Sequence, residues 1–253
     1  MEMLKIPILT LLLIWCVDGK PGSNQSHNRI VGGITAPDGG VPYQVSLRDR
    51  NNNLKCGGAI LNSQWVMTAG HCIKPDDDPM KYIIVAGTNL LTSGGDVYTV
   101  EKIVTYPGYD TSKALLHDIA LLRILEEIEF YDRVQPIALP DKDTKGGANV
   151  MITGWGMFDP NQNAVIDNLQ SLNATAASLE ECRKRNRNAR ASEICTRENN
   201  GKGICFGDSG GPLVEGNAVV GIASYLLNKC AFGYDAFTRV YYYRKWIAKT
   251  INS

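Results

Sequence analysis

The sequence predicts an all-β fold, either a barrel or a sandwich, and two observations support that prediction. The first is a series of short runs of β-branched and aromatic residues bounded by Gly, Pro, Asn or Asp, a pattern typical of antiparallel strands. The second is size, because 253 residues with 44% hydrophobic side chains suffice for one large all-β domain or two small ones. Strands at this spacing favour a barrel or a sandwich over a parallel α/β sheet.

The predicted strands lie between about residues 40 and 240, and a helix is predicted after them. The strand runs read YQVSLR, YIIVAG, VYTVEKIVTY, DIALLRI, NVMITGW and AVVGIASYL. In the C-terminal stretch YYYRKWIAKTI, by contrast, Tyr243, Trp246, Ile247 and Ile251 recur at helical spacing. This stretch predicts a terminal helix packed on the strands, and a helix lying on a membrane surface is the alternative.

The N-terminus has the pattern of a secretory signal peptide. Lys5 precedes an apolar run from Ile6 to Val17, which is short for a bilayer span and is followed by small and polar residues. The sequence therefore predicts a signal peptide over residues 1–19, cut after Gly19, and a secreted, extracellular protein with no membrane partner. A membrane anchor is the alternative. The chain has no net formal charge, and no long basic or acidic segment indicates a nucleic-acid partner.

Six cysteines remain if the signal peptide leaves with Cys16. An even number of cysteines in a secreted chain predicts three disulfides, although six cysteines allow many pairings and the sequence alone does not choose among them. Zinc binding is the competing use, but there is no CxxC pair and no second histidine nearby, so we expect neither a metal nor a cofactor. The six are Cys56, Cys72, Cys182, Cys195, Cys205 and Cys230.

The stretch GKGICFGDSGGPL sets Asp208 and Ser209 among five glycines. Glycine is used where the backbone adopts left-handed torsions or approaches a ligand closely, so Gly207, Gly210 and Gly211 predict a tight loop that aims the serine. An ordinary serine-containing turn is the alternative for this stretch taken alone.

Two further residues could activate that serine. His71 lies in WVMTAGHC, although a lone histidine there could equally be structural, and Asp118 opens the apolar run DIALL, where an unpaired charge would be costly. A serine hydroxyl becomes a good nucleophile when an imidazole removes its proton and a carboxylate orients that imidazole. We therefore predict a catalytic triad of His71, Asp118 and Ser209, with the N–H groups of Gly207 and Ser209 as the oxyanion hole.

Five motifs occur along the chain in the order IVGG, TAGHC, DIALL, GDSGGP and TRV. In this order the chain resembles the trypsin/chymotrypsin family of serine endopeptidases, from Ile30 to the C-terminus, and most of all its invertebrate chymotrypsin-like digestive members. The resemblance implies two six-stranded antiparallel β-barrels, over roughly residues 30–135 and 136–253, a C-terminal helix and an active site between the barrels. It also implies the disulfides Cys56–Cys72, Cys182–Cys195 and Cys205–Cys230.

The resemblance further implies a zymogen. A trypsin-like protease would cut after Arg29 and release the propeptide 20–29, which contains no cysteine to retain it. The new ammonium group of Ile30 would then pair with Asp208, whose alternative role is that of a turn residue.

The substrate pocket implied by the family is formed by Gly203, Ser224, Tyr225, Leu226 and Asp235. Gly203 stands where trypsins have aspartate, which favours apolar residues before the cut bond, and Leu226 should narrow the entrance. Asp235 replaces a wall glycine, a combination that is found in some broad-specificity collagenolytic relatives.

The sequence therefore predicts a secreted, monomeric, chymotrypsin-like digestive endopeptidase that acts on proteins or peptides and is open to protease inhibitors. One alternative is a trypsin-like or collagenolytic protease that uses Asp235. The other is an inactive homologue that serves as a binding module.

Overall fold

The structure is a computed structural model that describes residues 30–74, 76–113, 115–156, 167–197, 201–227, 229–230 and 234–253. The predicted signal peptide, propeptide and cleavage residue Arg29 lie outside the described residues. Within them the strands, in chain order, are β1 Ile34–Thr35, β2 Gln44–Asp49, β3 Leu54–Asn62, β4 Trp65–Thr68, β5 Tyr82–Ala86, β6 Asp96–Thr105, β7 Ala120–Ile124, β8 Asn149–Gly154, β9 Gln170–Ala177, β10 Glu193–Arg197, β11 Pro212–Glu215, β12 Ala218–Leu226 and β13 Tyr234–Arg239. The helices are α1 Leu179–Arg185 and α2 Val240–Ile251.

The first barrel consists of six antiparallel strands in the order β2-β3-β4-β7-β6-β5, and it closes through the pairing of β5 with β2. Val45, Leu47, Ile84, Leu122 and Ile124 are fully buried and pack together inside it. Alternate residues of a strand point to the same face, so each strand supplies every second side chain to this core.

The second barrel is formed by β8, β9, β10, β13, β12 and β11, and it closes through the pairing of β8 with β9. Ile152, Ile194, Leu213 and Phe237 pack in its core. The short β1 pairs with β9, so the chain from Ile34 to Thr35 belongs to this second sheet although it precedes the first barrel. Two six-stranded antiparallel barrels confirm the predicted fold.

A third apolar cluster joins the two barrels. Ile119 and Leu121 from the first barrel meet Val219 and Ile222 from the second. The helix α2 confirms the prediction for the C-terminal stretch, and its buried face adds Val240, Tyr243 and Ile247 to this cluster. In the part of the chain that the structure describes, no helix is long and apolar enough to cross a membrane.

Candidate active site

His71 and Asp118 meet at the end of the first barrel. A short 3₁₀ turn, Gly70–Cys72, follows β4, and Asp118 lies just before β7, the strand that pairs with β4. The ring Nδ1 of His71 lies 2.7 Å from Oδ2 of Asp118, and the backbone N–H of His71 donates to Oδ1 over 2.8 Å. These two bonds fix the orientation of the ring and leave Nε2 as its second nitrogen, the one available to a substrate.

The second barrel also holds Asp118, which is 1% exposed. The hydroxyl of Ser224 donates to Oδ2 of Asp118, and the hydroxyl of Thr238 donates over 2.6 Å to its backbone carbonyl. Ser224 was predicted as a pocket residue, and this contact with Asp118 is an additional one. Because it joins residues 106 positions apart, no local motif could have indicated it.

Ser209 lies in the turn that precedes β11, where it faces the same cleft as His71. Its carbonyl accepts the N–H of Gly57 over 2.7 Å, and the N–H of Gly210 donates to Ala223 over 2.8 Å, so both barrels position this turn. Gly210 has a φ of 76°, and a Cβ there would lie 2.6 Å from the carbonyl oxygen of Gly57. Only glycine fits at that position without displacing the turn. No hydrogen bond joins the Ser209 hydroxyl to the His71 ring, and both side chains line the same two cavities.

Two backbone N–H groups of this turn, those of Gly207 and Ser209, have no acceptor among the described residues. Gly207 has a φ of 98°, which a side chain would disfavour. The turn is closed by the N–H of Asp208, which donates to Cys205 over 3.1 Å, and by the N–H of Gly211, which donates to Asp208 over 3.0 Å. Free N–H groups in a rigid turn can stabilise an oxygen that becomes negative.

Asp208 points away from the cleft and is 1% exposed. Its carboxylate accepts the N–H groups of Gly156 over 2.8 Å and Cys205 over 2.9 Å, and a Cβ at Gly154 or Gly156 would overlap with it. Burial raises the pKa of Asp208 to about 6, against the effect of these two hydrogen bonds. No Lys, Arg or His side chain among the described residues forms a salt bridge with it, so the carboxylate lacks a partner of opposite charge.

The start of the described chain lies in the second barrel. Ile30 is fully buried in the core of that barrel together with Ile152 and Leu213, and it has an unusual φ of 44°. Val31 forms an antiparallel bridge with Gly203, whose N–H donates to Val31 over 3.1 Å. This bridge leads the chain along the loop that contains Asp208.

A cavity of about 480 Å³ opens beside Ser209. Three of the predicted pocket residues, Ser224, Tyr225 and Leu226, line it. Gly203 and Asp235 are not among its described lining residues. Ile204 and Phe206 also line it, and the sequence analysis did not predict them. Their position on either side of Cys205 is the one feature of the sequence that could have indicated them. The full lining is His71, Ile204, Cys205, Phe206, Ser209, Ser224, Tyr225 and Leu226.

Asp235 is buried, with 3% of its surface exposed. Its Oδ2 accepts the backbone N–H of Ile204 over 2.7 Å. In the sheet it pairs directly with Leu226 on one side and Thr196 on the other, so the three side chains share one face of the second barrel. The carboxylate therefore contacts the residue that follows Gly203, and its side chain is on the same face of the sheet as Leu226, which lines the cavity.

The disulfides are Cys56–Cys72, Cys182–Cys195 and Cys205–Cys230, the pairs that the family resemblance implies. The first ties the residue after His71 to β3, and the third ties the loop of Ser209 to the segment that follows β12. The sulfur atoms of Cys56 and Cys72 lie near the His71 ring, but in a disulfide they offer no thiolate to a metal.

Two closed barrels that bring a histidine, an aspartate and a serine to one cleft define the class of trypsin-like serine proteases. The chain belongs to the trypsin family, because the family model described as Trypsin matches residues 30–247. Chymotrypsin-2 of Vespa crabro is 38% identical over 87% of this chain and 99% of that protein. Trypsin II-P29 of Gallus gallus is 35% identical over 98% of this chain and 99% of that protein.

A solved structure shows the same fold. Neuropsin, a serine protease expressed in the limbic system of mouse brain, superposes with a TM-score of 0.80 at 29% identity, over 87% of this chain and 98% of that one. As a serine protease of the trypsin family, the protein acts on protein substrates. The relatives include a chymotrypsin as well as trypsins, so their names leave the side-chain preference open.

Proposed function

We propose that the protein hydrolyses peptide bonds with His71, Asp118 and Ser209 as its catalytic triad. The observation that supports this most directly is the 2.7 Å contact between His71 Nδ1 and Asp118, at the edge of the cavities that Ser209 also lines. Asp118 holds the ring in the tautomer with a proton on Nδ1, so that Nε2 can accept the proton of the Ser209 hydroxyl.

The reaction then follows in two halves. The oxygen of Ser209 attacks the substrate carbonyl carbon, and the N–H groups of Gly207 and Ser209 stabilise the negative oxygen that forms. His71 gives its proton to the leaving amine, the carbon–nitrogen bond breaks, and an acyl-enzyme remains. A water molecule, deprotonated by His71, attacks the ester carbon. The bond between that carbon and the Ser209 oxygen then breaks, His71 returns the proton to Ser209, and the carboxylic acid product leaves.

We propose a preference for apolar side chains before the cut bond. Ile204, Phe206 and Leu226 give the cavity apolar walls, and Gly203 brings no charge to the loop behind it. A broader preference that includes Lys and Arg is the second candidate, because the Asp235 carboxylate accepts the backbone N–H of Ile204, a residue of the cavity lining. A buried carboxylate there would attract a cationic side chain that reaches it.

The distinguishing measurement is kcat/KM for matched substrates with Phe, Leu or Arg before the cut bond. In the apolar assignment, Asp235→Asn leaves the ratio of Phe to Arg cleavage unchanged, and in the broad assignment it lowers Arg cleavage at least tenfold. Ser209→Ala should leave only the residual rate of the oxyanion hole, about 10³-fold to 10⁴-fold over water. Unchanged activity in Ser209→Ala would overturn the mechanism.

We propose as well that the protein is secreted as a zymogen with a signal peptide over residues 1–19 and a propeptide over residues 20–29, and that it serves digestion. The buried, unpaired carboxylate of Asp208 supports the zymogen assignment, because an ammonium group at Ile30 would supply the missing charge. Mass spectrometry of the secreted protein before and after trypsin treatment tests both cleavage sites.

A further inference from the structure

The sequence contains two N-x-S/T sequons, the acceptor pattern for N-linked glycans. The first, at Asn24, precedes the proposed cut after Arg29 and would leave with the propeptide. The second is Asn173-Ala174-Thr175, which lies within β9 of the second barrel. This second sequon is therefore the one that would remain in the activated protein.

The strand turns the acceptor side chain outward. Ala174 packs in the core of the second barrel together with Leu172. Side chains alternate along a strand, so Asn173 and Thr175 lie on the outer face of the sheet. Asn173 is exposed, and its carboxamide has no hydrogen-bond partner among the described residues. A glycan attached to the carboxamide nitrogen would therefore break no described contact.

The strands around Asn173 leave one side of it unpaired. On the first side it pairs with Met151 of β8. On the other side, β1 pairs with β9 at Ser171 and the residue before it, and β10 pairs with β9 from Thr175 onward. Among the described residues, Asn173 thus lies between the ends of these two strands and has a neighbouring strand on one side only.

An exposed aliphatic side chain lies close to this position. Ile34 of β1 is 66% exposed, the largest exposed fraction among the large apolar side chains of the described residues. It pairs directly with Ser171, which is on the outer face two positions before Asn173. Ile34 and Asn173 are therefore diagonal neighbours on one face, and such residues lie about 7–8 Å apart. The first sugars of a glycan would reach across that distance.

We propose that Asn173 carries an N-linked glycan whose first sugars cover Ile34. This goes beyond the proposed catalysis, since it involves no residue of the triad, and it rests on the proposed secretion, since the transfer takes place in the secretory pathway. The three disulfides agree with an oxidising compartment of that kind.

The sugar donor is an oligosaccharide carried on a lipid diphosphate. The carboxamide nitrogen of Asn173 attacks the anomeric carbon of the first sugar, and a carbon–nitrogen bond forms. The carbon–oxygen bond to the diphosphate breaks, the lipid diphosphate leaves, and the nitrogen loses one proton. The product is a bulky, polar group on the protein surface.

Mass spectrometry of the protein secreted from eukaryotic cells tests the site. The starting variant is Asn24→Gln, so that the propeptide contributes no glycan, and treatment with peptide N-glycosidase should lower the mass and convert Asn173 to aspartate. Added to this variant, Thr175→Ser should keep the glycan and Thr175→Ala should lose it. Asn188→Gln is the matched control and should keep the glycan, because Asn188 is also exposed and followed by alanine but has arginine in place of the threonine.

Hydroxyl-radical labelling of the secreted zymogen, before and after treatment with peptide N-glycosidase, tests whether the glycan covers Ile34. The radicals attack exposed aliphatic side chains, so labelling of Ile34 should rise when the glycan is removed. Val97 of β6 is the matched control, because it is 61% exposed and lies in the first barrel. Its labelling should not change.

Three results would overturn the inference in ways that can be told apart. A secreted protein with an unmodified Asn173 would refute the glycosylation site. A glycosylated protein in which Ile34 is labelled equally before and after treatment would refute the covering of that side chain. A chain that stays in the cytosol with residues 1–19 attached would refute the proposed secretion, and with it this inference. None of these results bears on the proposed triad.

Discussion

At the scale of single residues, Asp118 is the point of the candidate site where the two barrels meet. It bonds to the ring and the backbone of His71 on one side and to Ser224 and Thr238 on the other. A carboxylate that is 1% exposed would be costly without them, so the same contacts that orient His71 also make the buried charge tolerable.

Asp118→Asn should leave the fold intact and lower kcat by about 10⁴-fold, because an amide in place of the carboxylate favours the wrong tautomer of His71. The measurement is kcat for an ester and an amide substrate, with urea denaturation to verify stability. Asp132→Asn, at an exposed position, is the control and should be fully active. A loss below tenfold would argue against Asp118 as the orienting group.

How far the sequence predicts the site depends on how local the information is. His71, Asp118 and Ser209 each stand in a motif, and the glycines beside Ser209 predict a tight turn that the positive φ of Gly207 and Gly210 bears out. Contacts such as Ser224 with Asp118 depend on the packing of one barrel on the other, and no pattern within either segment specifies that.

At the scale of elements, the disulfides differ in what they hold. Cys56–Cys72 closes 16 residues and fixes the turn of His71, whereas Cys182–Cys195 closes 13 residues and fixes α1 to β10, away from the cleft. Loops of similar length give similar stabilisation in the chain-entropy account, about 3 kcal/mol each. The two disulfides should therefore differ in their effect on catalytic activity, although they contribute similarly to stability.

We expect the double variants Cys56→Ala/Cys72→Ala and Cys182→Ala/Cys195→Ala to lose comparable stability in urea denaturation. Under conditions where both remain folded, the first should lose kcat at least tenfold, since small displacements of a general base are costly, and the second should change it less than threefold. Equal effects on kcat would mean that the first disulfide does not position His71.

The helix α2 connects the C-terminus to the residue before Asp118. A hydrogen bond of 2.6 Å joins the Tyr243 hydroxyl to Nδ1 of His117, and Tyr106 packs edge-on against Tyr243 and Trp246. Burial lowers the pKa of His117, so the ring that forms this bond is uncharged at neutral pH. The sequence predicts the helix from its apolar spacing, but not that its tyrosine would bind His117, which lies 126 positions away.

Tyr243→Phe should therefore lower the free energy of unfolding by about 1 kcal/mol, the net value of one hydrogen bond with a partner left unsatisfied. The matched control is Tyr242→Phe, because Tyr242 is 53% exposed and its hydroxyl should contribute little. Urea denaturation of both variants measures the difference, and equal midpoints would contradict the role assigned to Tyr243.

At the scale of the whole molecule, the segment that precedes the first barrel, with Ile30 and β1, packs against the second barrel. β1 pairs with β9, and Ile30 is buried in the core of the second barrel, near the loop of Asp208. A family motif predicts that Ile30 and Asp208 act together, but the sequence does not indicate how strongly the interior of the barrel disfavours the charge of the carboxylate. The raised pKa of Asp208 indicates that the charged form is disfavoured there.

The uncleaved chain should become less stable relative to Asp208→Asn as the pH rises. The folded pKa of about 6 lies above that of an unfolded aspartate, about 3.9, so the folded state holds a proton that the unfolded state has lost between these values. Stability from this group is present below about pH 4 and is lost as the pH rises to about 6. The difference amounts to about 2 to 3 kcal/mol, because each pKa unit corresponds to about 1.4 kcal/mol.

Cleavage after Arg29 should reverse that relation. The ammonium group of Ile30 would then pair with the carboxylate, and removing one partner of a buried pair costs roughly 3–5 kcal/mol. Before trypsin treatment, the free energy of unfolding of Asp208→Asn should therefore rise relative to that of the wild type from pH 4 to pH 7. After trypsin treatment, the variant should be less stable than the wild type and nearly inactive. Urea denaturation of both proteins in both forms gives the four values needed. If Asp208→Asn responds to pH and to cleavage as the wild type does, the Asp208 carboxylate is not the group that senses the new N-terminus.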